Sequence, residues 1–244
     1  MPVKTISIHQ PGYLPWLGFF HKMICSDEFV IFDDVQFGKN SFDNRNKIKT
    51  PNGPIWLTVP IITAGKSKET MINTAQIDNR QPWRKKHSDT IKLNYSKSKY
   101  YGRHIDFFND LYSRDWEILA DLNLHIIKWV MEELCIKTKI HLSSKLVKEG
   151  KKSDLVKNIC IGLNANIYIS GAQGVNYLDV GDFGKNHMHI YFQKYEHPKY
   201  DQTAGEFLPF MSIIDLMFNC GETSRDVIMQ NNISKEEIIR EFSL

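Results

Sequence analysis

The chain has 244 residues, 42% hydrophobic and 24% charged, an ordinary balance for a folded protein with a substantial core. Its net charge is +3 and the lysines are scattered (Lys66, Lys68, Lys85, Lys86, Lys151, Lys152), with no run of five or more, so a nucleic-acid tract is not indicated and no DNA partner is expected. No run of about 18 apolar residues exists, which excludes a membrane-spanning helix, and MPVKTISIHQPGY reads as a first strand instead of a signal peptide.

Residues 3–8 are expected to form that strand, and two prolines and a glycine in HQPGYLPW forbid a continuous helix after it. Helical spacing over 17–24 stops at Ser26-Asp27. EFVIF, residues 28–32, is a dense apolar run suited to a buried parallel strand, completing a βαβ unit. Residues 50–82 break the rhythm with a turn at 50–53, a strand-like stretch at 55–62 and a turn at 79–82. A helical region follows over 83–135, broken near Tyr101-Gly102 and 114–116. In it Leu119, Leu122, Ile126, Ile127, Val130 and Leu134 mark a long amphipathic helix.

The alternation resumes with strands at 139–142, 166–169 and 189–192 and a helix at 153–163. A helix is expected at 210–218 and a last one from Ser234, where Glu237 completes a capping box. The pattern predicts a single α/β domain over 1–244, with an inserted hairpin and mostly helical segment at about 50–135. Cys25, Cys135, Cys160 and Cys220 form no CxxC pair and are expected as free, mostly buried thiols in a reducing compartment, the cytoplasm.

The strands are expected to end in polar or glycine-containing segments: His9-Gln10, Asp33-Asp34, Ser143-Ser144, Ser170-Gly171 and, a few residues on, His197. In a parallel sheet these share one edge, where open α/β sheets bind ligands. His9 at a strand end suits a general base or a donor to a ligand, with Gln10, Tyr13 and Trp16 of its loop contacting substrate. His21 is expected to be a partly exposed helical side chain.

Asp33 and Asp34 suit the orientation of an amine or hydroxyl. Two carboxylates do not define a metal site, and no metal is expected. Gln36, Asn44, Arg45, Asn46 and Lys49 belong to a dense polar loop pinned inward by Val35, Phe37 and Phe42. Asn44-Arg45-Asn46 offers planar, multidentate donors for phosphate, carboxylate or sugar hydroxyls. His197, Tyr200 and Gln202 suit recognition of a polar small molecule, and Ser170-Gly171 with Gly174 suits a phosphate-binding turn. No GxSxG, Walker, HExxH or Rossmann fingerprint occurs.

IHQPGYLPWLGFFHKM is similar in strand–loop–helix placement to the HxGH loop of nucleotidylyltransferases. Gly18 aligns with that loop's glycine, while Trp16 and Phe19 stand where its histidines would be. The resemblance implies an α/β fold with an open, mainly parallel sheet of HUP/nucleotidylyltransferase-like type, carrying an inserted helical region.

A longer resemblance runs through IHQPGYLPWLGFFHKM, DEFVIFDDVQFGKNSFDNRNKIKT, WLTVP, YISG with Tyr177, HPKYDQ and MSIIDLMFNCG. Together they resemble the WbqC-like protein family. The resemblance implies a bacterial protein encoded among genes for O-antigen or other surface polysaccharides. It also implies a role in transferring glycine or a related acyl group to a sugar.

The resulting expectation is a transferase acting on a nucleotide-linked amino sugar. His9 or His197 would be its base, Asn44, Arg45 and Lys49 would hold the diphosphate, and Asp33 or Asp34 would orient the amine. The donor stays open among an amino acid with ATP, aminoacyl-tRNA and acyl-CoA. The alternatives are an adenylating, nucleotidylyltransferase-like enzyme and a non-catalytic nucleotide-sugar binding protein.

Overall fold

A computed structural model describes residues 2–62, 70–203 and 205–243; Lys66 and Lys68 lie outside the described residues. β1 (Thr5–His9), α1 (Leu17–Ile24) and β2 (Glu28–Ile31) form the expected first unit, with β1 and β2 paired in parallel. The chain then makes an antiparallel hairpin, β3 (Arg45–Thr50) and β4 (Gly53–Thr58), followed by α2 (Trp83–Tyr95), α3 (Tyr101–Ser113) and α4 (Leu119–Glu133). Next come β5 (Lys139–Leu142), α5 (Ser153–Gly162), β6 (Ile167–Ser170), α6 (Val180–Lys185) and β7 (His189–Phe192). Helices α7 (Ile213–Cys220), α8 (Ser224–Met229) and α9 (Lys235–Glu241) follow, and the Ser234–Glu237 capping box is present at the start of α9.

The main sheet has five strands in the order β5-β2-β1-β6-β7, all parallel. Its strands are apolar on both faces because both are covered. Phe29 and Ile31 pack with α1, α4 and α7, while Ile6, Ile8 and Val30 pack with Val156, Ile159 and Cys160 of α5 and Phe183 of α6.

The hairpin begins earlier than the sequence pattern suggests. Residues 45–49, expected as a polar loop, are a strand whose Asn46, Ile48 and Lys49 are buried. Polar side chains mask its alternation because they pair with backbone groups in place of water. Asn123, in the middle of α4 and fully buried, ties the loop after β1 to this region: its Nδ2 donates to the carbonyls of Pro11 and Asp43, each at 2.8 Å.

The four cysteines are free. Cys25 and Cys160 are buried and Cys220 is half-buried, but Cys135, just past the end of α4, is exposed. Among the described residues no helix is long and apolar enough to cross a membrane.

Candidate functional site

The ladder between β1 and β6 covers Thr5–Ser7 against Ile167–Ile169 and stops there, while β1 stays paired with β2 as far as His9 opposite Ile31. β1 and β6 therefore diverge at the point where the strand order reverses, the place where open α/β sheets bind ligands. A cavity of about 920 Å³ opens there. One wall is made by His9, Gln10, Trp16 and Lys22, the other by Gly171, Gly174 and Tyr177, with Gln193 and Tyr195 beyond β7. Lys152, immediately before α5, also lines it, and among the described residues no aspartate or glutamate does.

His9 donates from Nδ1 to the Gln10 carbonyl at 3.0 Å, because a carbonyl can only accept, and Nε2 is left as an acceptor. Burial, and then the nearby charge of Lys22, push its imidazole down to about 3. His9 is thus a neutral hydrogen-bonding group at physiological pH, and a weak base.

Two glycines shape the walls by close approach. A Cβ on Gly18 would lie 2.3 Å from the Trp16 indole, so the glycine that aligns with the HxGH loop here makes room for a tryptophan. A Cβ on Gly174 would lie 2.0 Å from Ser170 Oγ. Ser170 itself is buried beneath the turn, where its hydroxyl donates to the Gly171 carbonyl at 3.1 Å.

Gln193 braces the floor. Its Nε2 donates to the Gly18 carbonyl and to His21 Nδ1, both at 2.9 Å, and His21 Nε2 in turn donates to the Ile233 carbonyl at 3.0 Å. His21 is therefore buried, against the expectation of partial exposure, because both ring nitrogens find partners inside.

The other expected site residues lie elsewhere. Asp33 accepts from the Ser143 hydroxyl at 2.9 Å and from the Ser144 amide and hydroxyl at 2.9 and 2.6 Å. Burial raises its pKa, but these bonds to Ser144 and Ser143 outweigh it and hold the carboxyl below its ordinary value. Asp34 pairs with Lys148 and with the Ser143 hydroxyl. These bonds tie the loop after β2 to the end of β5. Gln36 is exposed and bridges to Met71, while Tyr13 is a core residue whose hydroxyl meets His87 Nδ1 at 2.9 Å and the Tyr112 hydroxyl at 2.7 Å.

In the hairpin region, Asn44 Nδ2 donates to the Val59 carbonyl and Asn46 Nδ2 to the Leu14 carbonyl, each at 2.7 Å. The Arg45 guanidinium lies 4.3 Å from the Trp56 ring centre, and Lys49 Nζ donates to the Glu206 carbonyl at 2.6 Å.

Tyr200 and Gln202 belong to a second polar cluster, around the fully buried Asp215 of α7. The carboxylate of Asp215 accepts from the Tyr95 and Tyr200 hydroxyls and from Gln202 Nε2, all at 2.8 Å. His197 is not among the residues that line the cavity with His9. It is packed edge-on against Phe210 at 5.0 Å, it donates from Nδ1 to the Pro198 carbonyl at 3.0 Å, and its Nε2 is buried without a partner. Tyr195, with its ring 6.4 Å from the His197 ring, lines the cavity in its place.

Of the sequence-derived candidates, His9, Gln10, Trp16, Gly171 and Gly174 therefore line the switch-point cavity. Lys22, Lys152, Gln193 and Tyr195 line it without having been singled out in the sequence. Lys22 carried a legible signal, a lysine inside the apolar run LGFFHKMI of a short helix, because lysine is almost never fully buried without a partner. Among the described residues no group of three or more His, Cys, Asp or Glu side chains is placed to hold a metal ion.

Comparison with known proteins agrees with the family resemblance. The chain is 31% identical over 232 residues to the uncharacterized protein Rv1507c of Mycobacterium tuberculosis, covering 93% of this chain and 98% of that one. No solved structure matches. Residues 10–227 match the WbqC-like protein family, a span that includes all the cavity residues named above except His9, and the chain belongs to that family.

Proposed function

We propose that the protein is a bacterial transferase that attaches an aminoacyl (glycine-like) or acyl group to the amine of a nucleotide-linked amino sugar during O-antigen or related surface-polysaccharide synthesis. The observation that carries this reading is the cavity of about 920 Å³ at the reversal of strand order, walled by His9, Lys22 and Lys152 with no carboxylate among the described residues. Its volume is that of a small-molecule site, and its charge favours an anionic ligand. Family membership supports the same reading through the sugar-linked role that the resemblance implies.

In this reaction the sugar amine attacks the acyl carbon, forming a C–N bond and breaking the bond to the donor's leaving group, which departs with the electron pair and takes the proton that the amine gives up. His9 Nε2, neutral and unprotonated, accepts a hydrogen bond from the amine and orients it. The diphosphate lies between Lys152, at the start of α5, and the Gly171–Gly174 turn, where backbone amides and a cation suit phosphate. Asp33, Asp34, Asn44, Arg45, Asn46 and Lys49 act as braces of the loops around the site. The chain works as one cytoplasmic domain.

The strand order favours a second reading, a HUP-like adenylating enzyme, because doubly wound sheets of this order hold nucleotides at the same crevice. A thermal-shift screen separates the two. Amino-sugar nucleotides should stabilise the protein more than ATP does, and a mass gain of the sugar nucleotide on adding glycine with ATP, aminoacyl-tRNA or an acyl-CoA identifies the donor. Stabilisation by ATP alone, with adenylate formation, selects the second reading. Stabilisation by the sugar nucleotide with no mass change under any donor reduces the protein to a non-catalytic binder.

A further inference from the structure

We propose that Lys22 is a ligand-binding residue of the switch-point cavity, its ammonium pairing with an oxyanion, phosphate or carboxylate, of the molecule that occupies it. The inference rests on the cavity being the ligand site and not on acyl transfer being the reaction.

Carbonyls along a strand alternate in direction. The His9 carbonyl faces β2, where it accepts from the Phe32 amide at 2.8 Å. The Ile8 carbonyl therefore faces the β6 side, where the ladder has already ended at Ser7. Lys22 Nζ, reaching from α1, takes that carbonyl at 3.1 Å. The ammonium is thus anchored at the first backbone acceptor that β6 leaves unpaired, on the floor of the crevice.

Lys22 is only 1% exposed, and an ammonium carries three donors, of which the Ile8 carbonyl uses one. Among the described residues no carboxylate comes within ion-pair distance of it. The face of Phe29 also lies near the ammonium, with the ring centre at 5.9 Å. The titratable groups that face the cavity with it are His9 from β1, Tyr168 from β6, Tyr177 from the following turn, Tyr195 beyond β7 and Lys152 before α5. None of these is negatively charged at neutral pH, so nothing in the wall compensates a buried cation.

A buried charge without a partner is costly, and it is relieved by losing a proton or by gaining a counterion. Burial pulls the amine of Lys22 down to about 7. Near neutrality the group is therefore divided between its two forms, and an arriving oxyanion draws it to the charged one. Binding takes up a proton and weakens as pH rises.

Titration calorimetry on the full chain tests this, using inorganic pyrophosphate, glycine and UDP-glucosamine as separate probes in buffers of different ionisation heat. Lys22→Met keeps the length of the side chain and removes the buried charge, so it is expected to fold. It should bind the effective probe about tenfold or more weakly than wild type. Wild-type affinity should fall between about pH 6 and pH 8 with proton uptake, and Lys22→Met should lose both the fall and the uptake. Preference for pyrophosphate assigns the oxyanion as phosphate, and preference for glycine assigns it as carboxylate.

Wild type alone supplies a second readout, because a proton taken up on binding makes the binding heat depend on the ionisation heat of the buffer. Near pH 7 the effective probe should show that dependence. If UDP-glucosamine binds Lys22→Met as tightly as wild type and wild type takes up no proton on binding it, the inference fails while the cavity stands. If none of the three probes binds wild type, both fail.

Discussion

The guanidinium of Arg45 lies 4.3 Å from the centre of the Trp56 ring, and its Nη2 donates to the Asn40 carbonyl at 2.5 Å. Arg45 stands opposite Thr58 and Lys47 opposite Trp56, so the stack is a diagonal contact across the β3–β4 hairpin. Arg45→Lys keeps the charge but loses the planar fork. Urea denaturation should show a loss of about 0.5–1 kcal/mol, with ligand affinity at the switch point unchanged. A large drop in affinity with unchanged stability would instead make the hairpin part of the binding surface.

Gly18 supports Trp16 by having no side chain. A Cβ there would come within 2.3 to 2.7 Å of three indole carbons. Gly18→Ala should cost about 1–3 kcal/mol and weaken ligand binding together, because the displaced indole is part of the cavity wall. Adding Trp16→Ala should restore most of the stability and none of the affinity. Recovery of both would show that Trp16 does not touch the ligand.

Acid should destabilise the protein well above the usual carboxylate range. Burial, only partly offset by a hydrogen bond with the Thr58 backbone, holds His87 down to about 4, and His9 lies at about 3. In the unfolded chain each titrates near 6.5, so between that value and the folded one the unfolded state binds more protons and stability falls as pH falls. The loss at His87 alone is on the order of 3 kcal/mol by about pH 4. Chemical denaturation at several pH values measures the slope, and His87→Gln should make it shallower. An unchanged slope in that variant would mean His87 titrates normally in the fold.

Asp215 acts in the opposite sense. Burial raises its carboxyl above the ordinary value despite the bonds from Tyr95, Tyr200 and Gln202. The folded state then holds the extra proton, so the contribution of this group is full below about pH 4 and is lost as pH rises through the folded value. Asp215→Asn should remove that pH dependence. Asp215→Ala should cost about 2–4 kcal/mol, since it strips the buried Tyr95 and the half-buried Tyr200 and Gln202 of their acceptor. Melting temperatures of both variants across pH test the pair, and a silent Asp215→Ala would refute the role of the cluster in tying the 197–202 loop to α7.

The strands of the main sheet were legible because each is a short apolar run closed by polar or glycine residues, a pattern that burial on both faces imposes on parallel strands. Their parallel order then puts His9-Gln10 and Ser170-Gly171 on one edge. The Ser234–Glu237 cap was equally legible, since its partners lie three residues apart.

Asn44, Arg45, Asn46 and Lys49 were not legible as structural residues. Their partners, Val59, Trp56, Leu14 and Glu206, lie 11 to 157 residues away along the chain or behind it, so a polar run satisfied by distant backbone reads locally as a solvated loop. Lys22 was visible only as an oddity of composition. Its place on the crevice floor follows from β6 leaving β1 at Ser7, one residue before the carbonyl it needs. Local pattern thus settled which segments are strands and helices and which edge carries the polar ends. Which of those polar groups face the cavity was decided by long-range pairing, because that pairing determines which backbone donors and acceptors are already used and which side chains are left for a ligand.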